Sequence, residues 1–267
     1  MIETFIHPSA VIDPNAQIGA GAHIGPYCIV GPDVTLGARV VLKGHVVVDG
    51  ITTIGDDTVV YPFASLGSEP QDLKFGGEKS QLIIGKRNKI REHVTMNPGT
   101  IGDRMKTVVG DDCLFMVGAH VAHDCVVGNR VILANNATLA GHVVVGDHAI
   151  LGGLSAVRQR VRIGNNAMIG GMSGVENDVI PFGLVMGERA YLAGLNLVGL
   201  ERSGYEKAAI QSLMKAFKAL FNTDDATFAE RLSQIESDYS NDALVSQVTK
   251  FVREKAASPL CQPKNAA

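Results

Sequence analysis

The stretch GAHVAHDCVVGNRVILANNATLAGH, Gly118 to His142, gathers side chains suited to acid–base work: His120, His123, Asp124, Asn135, Asn136 and His142. Histidine is the side chain best able to take a proton near neutral pH, and a carboxylate beside it fixes its tautomer or stabilises its charged form. His123 with Asp124 fits that description, although adjacent strand residues face opposite ways, so a tight corner must bring the two together. No Ser or Cys sits in a nucleophile motif such as G-x-S-x-G, and Cys125 occupies a place where a narrow repeat wants a small residue. The chemistry expected is direct attack by a substrate hydroxyl or amine, with the protein removing a proton and forming no covalent intermediate.

What must position these groups is visible in the spacing of their apolar neighbours. Val121, Val127, Leu133 and Leu139 recur every six positions, which matches neither a helix nor a single strand and points to a solenoid of hexapeptides, three to a triangular coil. Residues eighteen apart then stack at strand spacing, about 4.8 Å. On that count His123 and His142 are near neighbours on successive coils, Arg158 falls on the same stacked face, and His120 and His148 are expected around it too.

The beat begins at Ile6 and runs through Ile12, Ile18, Ile24, Val30, Leu36, Leu42, Val48, Ile54, Val60 and Leu66. Gly follows at Gly19, Gly25, Gly31, Gly37, Gly55 and Gly67, as expected if each corner needs positive φ or a close pass over the next turn. A polar insertion near residues 68–83 interrupts the beat and carries Asp72 and Lys74. Functional and merely solvating roles for it read equally well. A second interruption near 97–108, NPGTIGDRMKT, shifts the register by one residue before the array resumes from Val109 to Val175. About 26 hexapeptides make eight or nine coils, a column on the order of 40 Å long. Beyond Pro181 the pattern stops, and from Ser203 a helical period places Ile210, Leu213, Met214, Phe217, Leu220 and Phe221 on one face, with Thr223 to Asp225 and Asn241–Asp242 as helix starts. This divides the chain into a repeat domain, 1–187, and a helical domain, 188–267, whose last residues, SPLCQPKNAA, read as a weakly ordered tail.

Composition agrees. The 267 residues include 30 Gly and no Trp, suiting narrow uniform coils, and a net charge of -3 gives no electrostatic case for nucleic acid or an anionic membrane. Cys28, Cys113, Cys125 and Cys261 form no C-x-x-C pair, the start MIETFIHPSA lacks a signal's basic and apolar segments, and no run approaches the roughly 18 apolar residues of a membrane span. A cytoplasmic protein is expected.

The array, the loop QDLK (Gln71 to Lys74), AHVAHDC (Ala119 to Cys125), GNRVILANNATLAGH (Gly128 to His142) and GGMSGV (Gly170 to Val175) together resemble the UDP-N-acetylglucosamine acyltransferases, over essentially the whole chain. The resemblance implies an all-β left-handed parallel β-helix followed by a small C-terminal α-helical domain. Periodicity does not give that hand, and the general crossover rule would favour the other. It further implies a homotrimer that moves a 3-hydroxyacyl group from acyl carrier protein to the 3-position of UDP-N-acetylglucosamine, the first step of lipid A synthesis. No metal or resident cofactor is implied, the donor riding on the carrier's phosphopantetheine. Carried over to this chain, His123 is the general base, Asp124 its partner, and the Gly141 N–H faces the thioester oxyanion. Gln71, Asp72, Lys74, His120 and His142 hold sugar, acyl hydroxyl and donor phosphate. Gln159, Asn196 and Arg202 serve the nucleotide, and Gly171 limits acyl length. Three positions depart from the family pattern. Arg158 stands for a His and is able to bind an anion, Val198 stands for an acidic nucleotide-pocket residue, and Asn97 stands for a His, leaving a 3-hydroxyl and a 3-amino acceptor both open. Rival readings are a hexapeptide acyltransferase using acyl-CoA, a zinc hydratase with histidines shared between subunits, and a non-catalytic scaffold.

Overall fold

The computed structural model describes residues 3–221 and 226–264. Most hexapeptides contribute a two-residue strand, three of them a four-residue one, and the strands among the described residues collect into three sheets of eleven, nine and eight, so the column is the three-sided parallel β-helix that the period of six requires; its hand is left. Phe5 pairs with His23 and Ile6 with Ile24, a step of eighteen residues that repeats up the column. At the two interruptions the step lengthens, Ser65 pairing with Thr95 and Thr95 with His120, and the coil closes again because the extra residues leave the wall as loops. The first loop ends earlier than 83, since Gln81–Ile84 is already a strand paired with Ile51–Ile54.

Each strand's last residue points inward, and above the first coil Leu42, Ile54, Leu66, Ile90, Phe115 and Leu133 have no exposed surface. A single coil buries nothing by itself, and its neighbours supply both core and ladder hydrogen bonds. Ile6, on the terminal coil, is accordingly 43% exposed.

The glycine row works by close approach. A Cβ on Gly19 would lie 2.4 Å from the carbonyl carbon of Gly37, so the turns above and below are in backbone contact. The left-handed residue of each corner comes two positions later and is seldom glycine: Tyr27, Arg39, Asp57, Asp124 and His142 all have φ between 57° and 64°. Such residues are uncommon outside glycine, and the ladder on either side holds them.

After Gly174–Val175 the column closes with an antiparallel hairpin, Gly183–Met186 and Tyr191–Leu195, which still belongs to the first sheet. Gly187 forms its turn with φ 111°. The helices follow as α1 (Leu197–Arg202), α2 (Lys207–Leu220), α3 (Phe228–Asp238) and α4 (Ala243–Arg253), so helix begins before Ser203. Helix α2 buries Ile210, Leu213, Ala216 and Leu220, whereas Met214 is 44% exposed because its turn faces water. Asp242 caps α4 as expected, accepting from the Leu244 and Val245 N–H groups. The other expected start, Thr223 to Asp225, lies outside the described residues save that 226 onward is described, and Thr227 with Glu230 forms a capping box on α3.

The C-terminal segment is not loose through Gln262. The Asp178 N–H donates to Pro259 O at 2.8 Å, the Cys261 N–H to Asp178 O at 2.8 Å and the Leu192 N–H to Gln262 O at 2.9 Å, with Cys261 buried. Asp178 also anchors the helices to the column. Its fully buried carboxylate accepts from Arg162 Nε at 2.7 Å, and the same guanidinium reaches Glu254 at 3.0 Å and lies 4.2 Å above the Phe251 ring. Burial pushes the Asp178 carboxyl above its usual range against the opposing pull of Arg162. Arg162→Ala therefore strands a buried carboxylate, a loss of roughly 3–5 kcal/mol. Denaturant unfolding should show the midpoint falling accordingly, and an unchanged midpoint would deny the joint its role.

Candidate active site

His123 and Asp124 occupy the corner between the second and third sheets, directly after the strand His120–Val121. Asp124 adopts φ 58°, which turns its side chain back beside that of the preceding residue and solves the problem of neighbours facing apart. The His123 Nδ1 lies 3.0 Å from Asp124 Oδ2, with both residues buried. On the next coil the His142 N–H donates to His123 O at 2.9 Å, and the two imidazoles meet edge to face, 4.9 Å apart at 89°. The stacking expected from the period is thus present.

Gly141 lies under the other edge of the ring. A Cβ there would stand 2.5 Å from both Cε1 and Nε2 of His123, so the imidazole occupies space that only glycine leaves. Its φ is not left-handed, so the glycine serves the neighbouring ring and not its own backbone.

The second insertion closes over Asp124, a feature that sequence reading passed over as a break in register. Thr100 donates its N–H to both carboxylate oxygens at 3.0 and 3.1 Å and its hydroxyl at 2.6 Å, and the Arg104 N–H adds a bond of 3.3 Å. Burial alone would raise the Asp124 carboxyl, but the Thr100 hydroxyl, then His123, the Thr100 N–H and the nearby His142 outweigh it and hold it below its ordinary value. With Asp124 ionised, the hydrogen-bond pattern assigns the His123 proton to Nδ1 and leaves the Nε2 lone pair facing Gly141. Asp103, on the same insertion, meets His142 Nδ1 at 2.8 Å. Thr100, Asp103 and Arg104 are the site residues the sequence reading missed. Their one signal was that the insertion ends a coil before the histidines.

His120 is half-buried, with Nδ1 2.7 Å from Thr95 Oγ1; burial first, and His123 second, push its pKa down. Cys125 is inert, its thiol pushed up to about 12 by burial. Leu139 pairs with Val157, which places Arg158 in the column of Ala122 and Ala140, one residue ahead of His123. Gln159 follows in the His123–Gly141 column, and Arg160 in that of Asp124 and His142 with φ 65°. All three are exposed. Arg160, a residue the reading left out, is thus the arginine stacked beyond His142, while the Arg104 guanidinium reaches Asp124 O at 3.4 Å.

Other expected residues lie elsewhere on this chain. Gly171 is at the corner between the first and second sheets beside Gly153. Asn196 caps α1, accepting from the Gly199 N–H at 3.0 Å and donating to Asn166 O at 2.9 Å, and with Arg202 it lines a cavity of about 620 Å³. Arg130, His148, Asn166 and Val198 share that cavity, which lies at the corner between the third and first sheets, so His148 does not belong to the face of His123. Gln71 and Lys74 are exposed on the first insertion, where Asp72 accepts from the Lys74 N–H at 3.0 Å; among the described residues none of the three bonds to an imidazole. The root of that loop is tied to the end of the strand next to the site's own, the Asn97 amide, after Thr95–Met96, donating to Ser68 O and Glu69 O at 3.0 and 3.1 Å. The two insertions also meet, since the Ile101 N–H donates to Glu78 at 3.0 Å.

His123, Asp124 and His142 bring one potential metal ligand each within 4.8 Å of the others. The Asp124 oxygens already accept from Thr100, Arg104 and His123, and both imidazole Nδ1 atoms face carboxylates of this same chain, an arrangement suited to proton transfer. No helix of the described residues is long and apolar enough to cross a membrane.

The hexapeptide model of bacterial transferases, six repeats, matches residues 15–50 and 106–141, and a model described as UDP N-acetylglucosamine O-acyltransferase, domain 2, matches residues 178–260. The acyl-[acyl-carrier-protein]–UDP-N-acetylglucosamine O-acyltransferase of Caulobacter vibrioides is 54% identical over 213 residues, 80% of this chain and 81% of its own. That of Rickettsia canadensis is 56% identical over 211 residues, 79% and 80% of the two chains. A solved UDP-N-acetylglucosamine O-acyltransferase from Acinetobacter baumannii superposes with a TM-score of 0.92 at 40% identity, covering 96% of this chain and 99% of that one.

Proposed function

Because this chain belongs to the UDP-N-acetylglucosamine acyltransferase family, we propose that it moves a 3-hydroxyacyl group from the phosphopantetheine of acyl carrier protein to the 3-hydroxyl of UDP-N-acetylglucosamine, the first step of lipid A synthesis, in the cytoplasm. His123 Nε2 takes the hydroxyl proton as oxygen attacks the thioester carbon. The new C–O bond forms, the C–S bond breaks and the proton passes to the departing thiolate. Asp124 holds the ring in the required tautomer, and the Gly141 N–H lies where the carbonyl oxygen gains charge. The reaction needs no metal and no resident cofactor. The observation that carries this reading is a buried carboxylate–imidazole pair whose free nitrogen edge rests on Gly141.

The remaining residues act in a homotrimer. On one chain the base, the Asn196–Arg202 cavity and Gly171 occupy three different corners, and packed columns supply the way to bring different corners to one substrate. His120, His142, Gln71, Asp72 and Lys74 hold sugar, acyl hydroxyl and donor phosphate; Gln159, Asn196 and Arg202 hold the nucleotide; Arg158 adds an exposed cation for an anionic group. A 3-amino sugar is the second reading, because Asn97 stands where the family pattern has a His; its buried Oδ1, without a partner among the described residues, would accept from a hydroxyl or an amine alike.

Turnover with a 3-hydroxyacyl carrier protein, and little with the same acyl group on coenzyme A, is the expected outcome of a donor comparison. Equal use of both donors would return the acyl-CoA rival. Gly171 provides a second check. A Cβ there meets only Gly153, O at 3.3 Å and N at 3.9 Å, so a side chain needs a shift of a few tenths of an ångström from that one neighbour. Gly171→Met should shift preference to donors several carbons shorter, read from kcat/KM across a chain-length series, and an unchanged profile counts against the ruler.

A further inference from the structure

We propose that Asp103 is a positioning residue for the reaction, holding His142 in the tautomer that presents Nε2 to a substrate hydroxyl. This rests on the reading above, in which His142 touches substrate.

The insertion that shifts the repeat register delivers a partner to each imidazole. Thr100 holds Asp124, the partner of His123, while Asp103 Oδ2 meets His142 Nδ1 directly at 2.8 Å. The other oxygen of Asp103 lies 3.8 Å from Arg104 Nε. An ionised carboxylate accepts only, so the His142 proton resides on Nδ1 and Nε2 is left as an acceptor. Asp124 Oδ2 is 3.9 Å from the same Nδ1, too far for a hydrogen bond, which leaves Asp103 as the group that sets the tautomer. The ring has little freedom otherwise. Its side chain is 10% exposed, its backbone is tied to His123 O, and its edge-to-face contact with His123 fixes the plane. Two carboxylate–imidazole pairs thus stand at right angles. The buried one is suited to removing a proton, and the outer one to accepting a hydrogen bond from a hydroxyl and orienting it.

Removing Asp103 frees the His142 tautomer without touching the side chains of His123, Asp124 or Thr100. A lost orienting contact made equally in ground and transition states raises KM and leaves kcat in place. Asp103→Ala and Asp103→Asn are expected to raise KM for the sugar nucleotide about tenfold with kcat within about twofold. The ¹⁵N shifts of His142 should move from a single Nδ1–H form to a tautomer mixture, and Asp103→Glu should restore both readouts in part. Wild-type KM together with unaltered His142 shifts in the alanine and asparagine variants would overturn the proposal. His142→Ala separates the two levels of argument. If it has wild-type kinetics, His142 does not meet substrate and the reading beneath fails; if it is impaired while Asp103→Ala is not, only the role of Asp103 falls.

Discussion

His123→Ala is expected to fold normally and to transfer acyl groups at least about 10³-fold more slowly than the parent chain. The fold survives because the contact of this residue with the next coil is its carbonyl oxygen, which accepts from His142 and is unaffected by the side chain. Asp124 retains the Thr100 and Arg104 donors and is not stranded. What disappears is the only group of the corner with an unengaged nitrogen against Gly141. General-base removal accounts for roughly 10²–10⁴ in rate, and disorder of the attacking hydroxyl adds to it. Single-turnover transfer, measured beside circular dichroism, checks both halves. A folded variant within tenfold of normal turnover would remove His123 from the mechanism.

Gly141→Ala should cost about 10²-fold, a smaller but still large loss, through one added methyl group. The ideal Cβ position is 2.5 Å from the Cε1 and Nε2 atoms of His123, well inside contact distance, while the backbone conformation accepts alanine. The ring is held on its far side by Asp124, so relief requires it to tilt off its partner by about 1 Å, a misplacement that costs on the order of 10²-fold. The kcat should fall by about that factor with little change in thermal midpoint. Near-parental kcat would mean that the imidazole moves freely and that its seat on Gly141 has no catalytic weight.

The column was legible in the sequence because each interior residue, such as Val121 or Leu139, touches only the coils above and below it, so the three-dimensional repeat is written directly as a period of six. The meeting of His123 with His142 followed from the same arithmetic. Corners were harder to read. The glycines mark close backbone approach, while the left-handed turn falls two residues on, on residues as different as Asp124, His142, Arg160 and Phe63, so residue type alone does not locate it. The second insertion appeared only as noise in the rhythm, because the contacts of Thr100 and Asp103 with the corner depend on how a loop folds back and not on any spacing. The Pro259 and Cys261 bonds to Asp178 were hidden for the same reason, joining segments about 80 residues apart. The nucleotide residues posed a different difficulty. Asn196 and Arg202 share a cavity with Arg130 and His148, and stacking alone does not reveal that this cavity and the base sit at different corners of one chain.

In the proposed reaction the buried His123–Asp124 pair drives acyl transfer from a carrier-bound thioester to the 3-position of a nucleotide sugar. The most direct measurement incubates the protein with a 3-hydroxyacyl carrier protein and either UDP-N-acetylglucosamine or its 3-amino analogue, then locates the new acyl bond by mass spectrometry and NMR. The account predicts a 3-O-acyl product from the first acceptor at a rate that collapses in His123→Ala. Absence of acyl product with both acceptors, or an equal yield from His123→Ala, would contradict it.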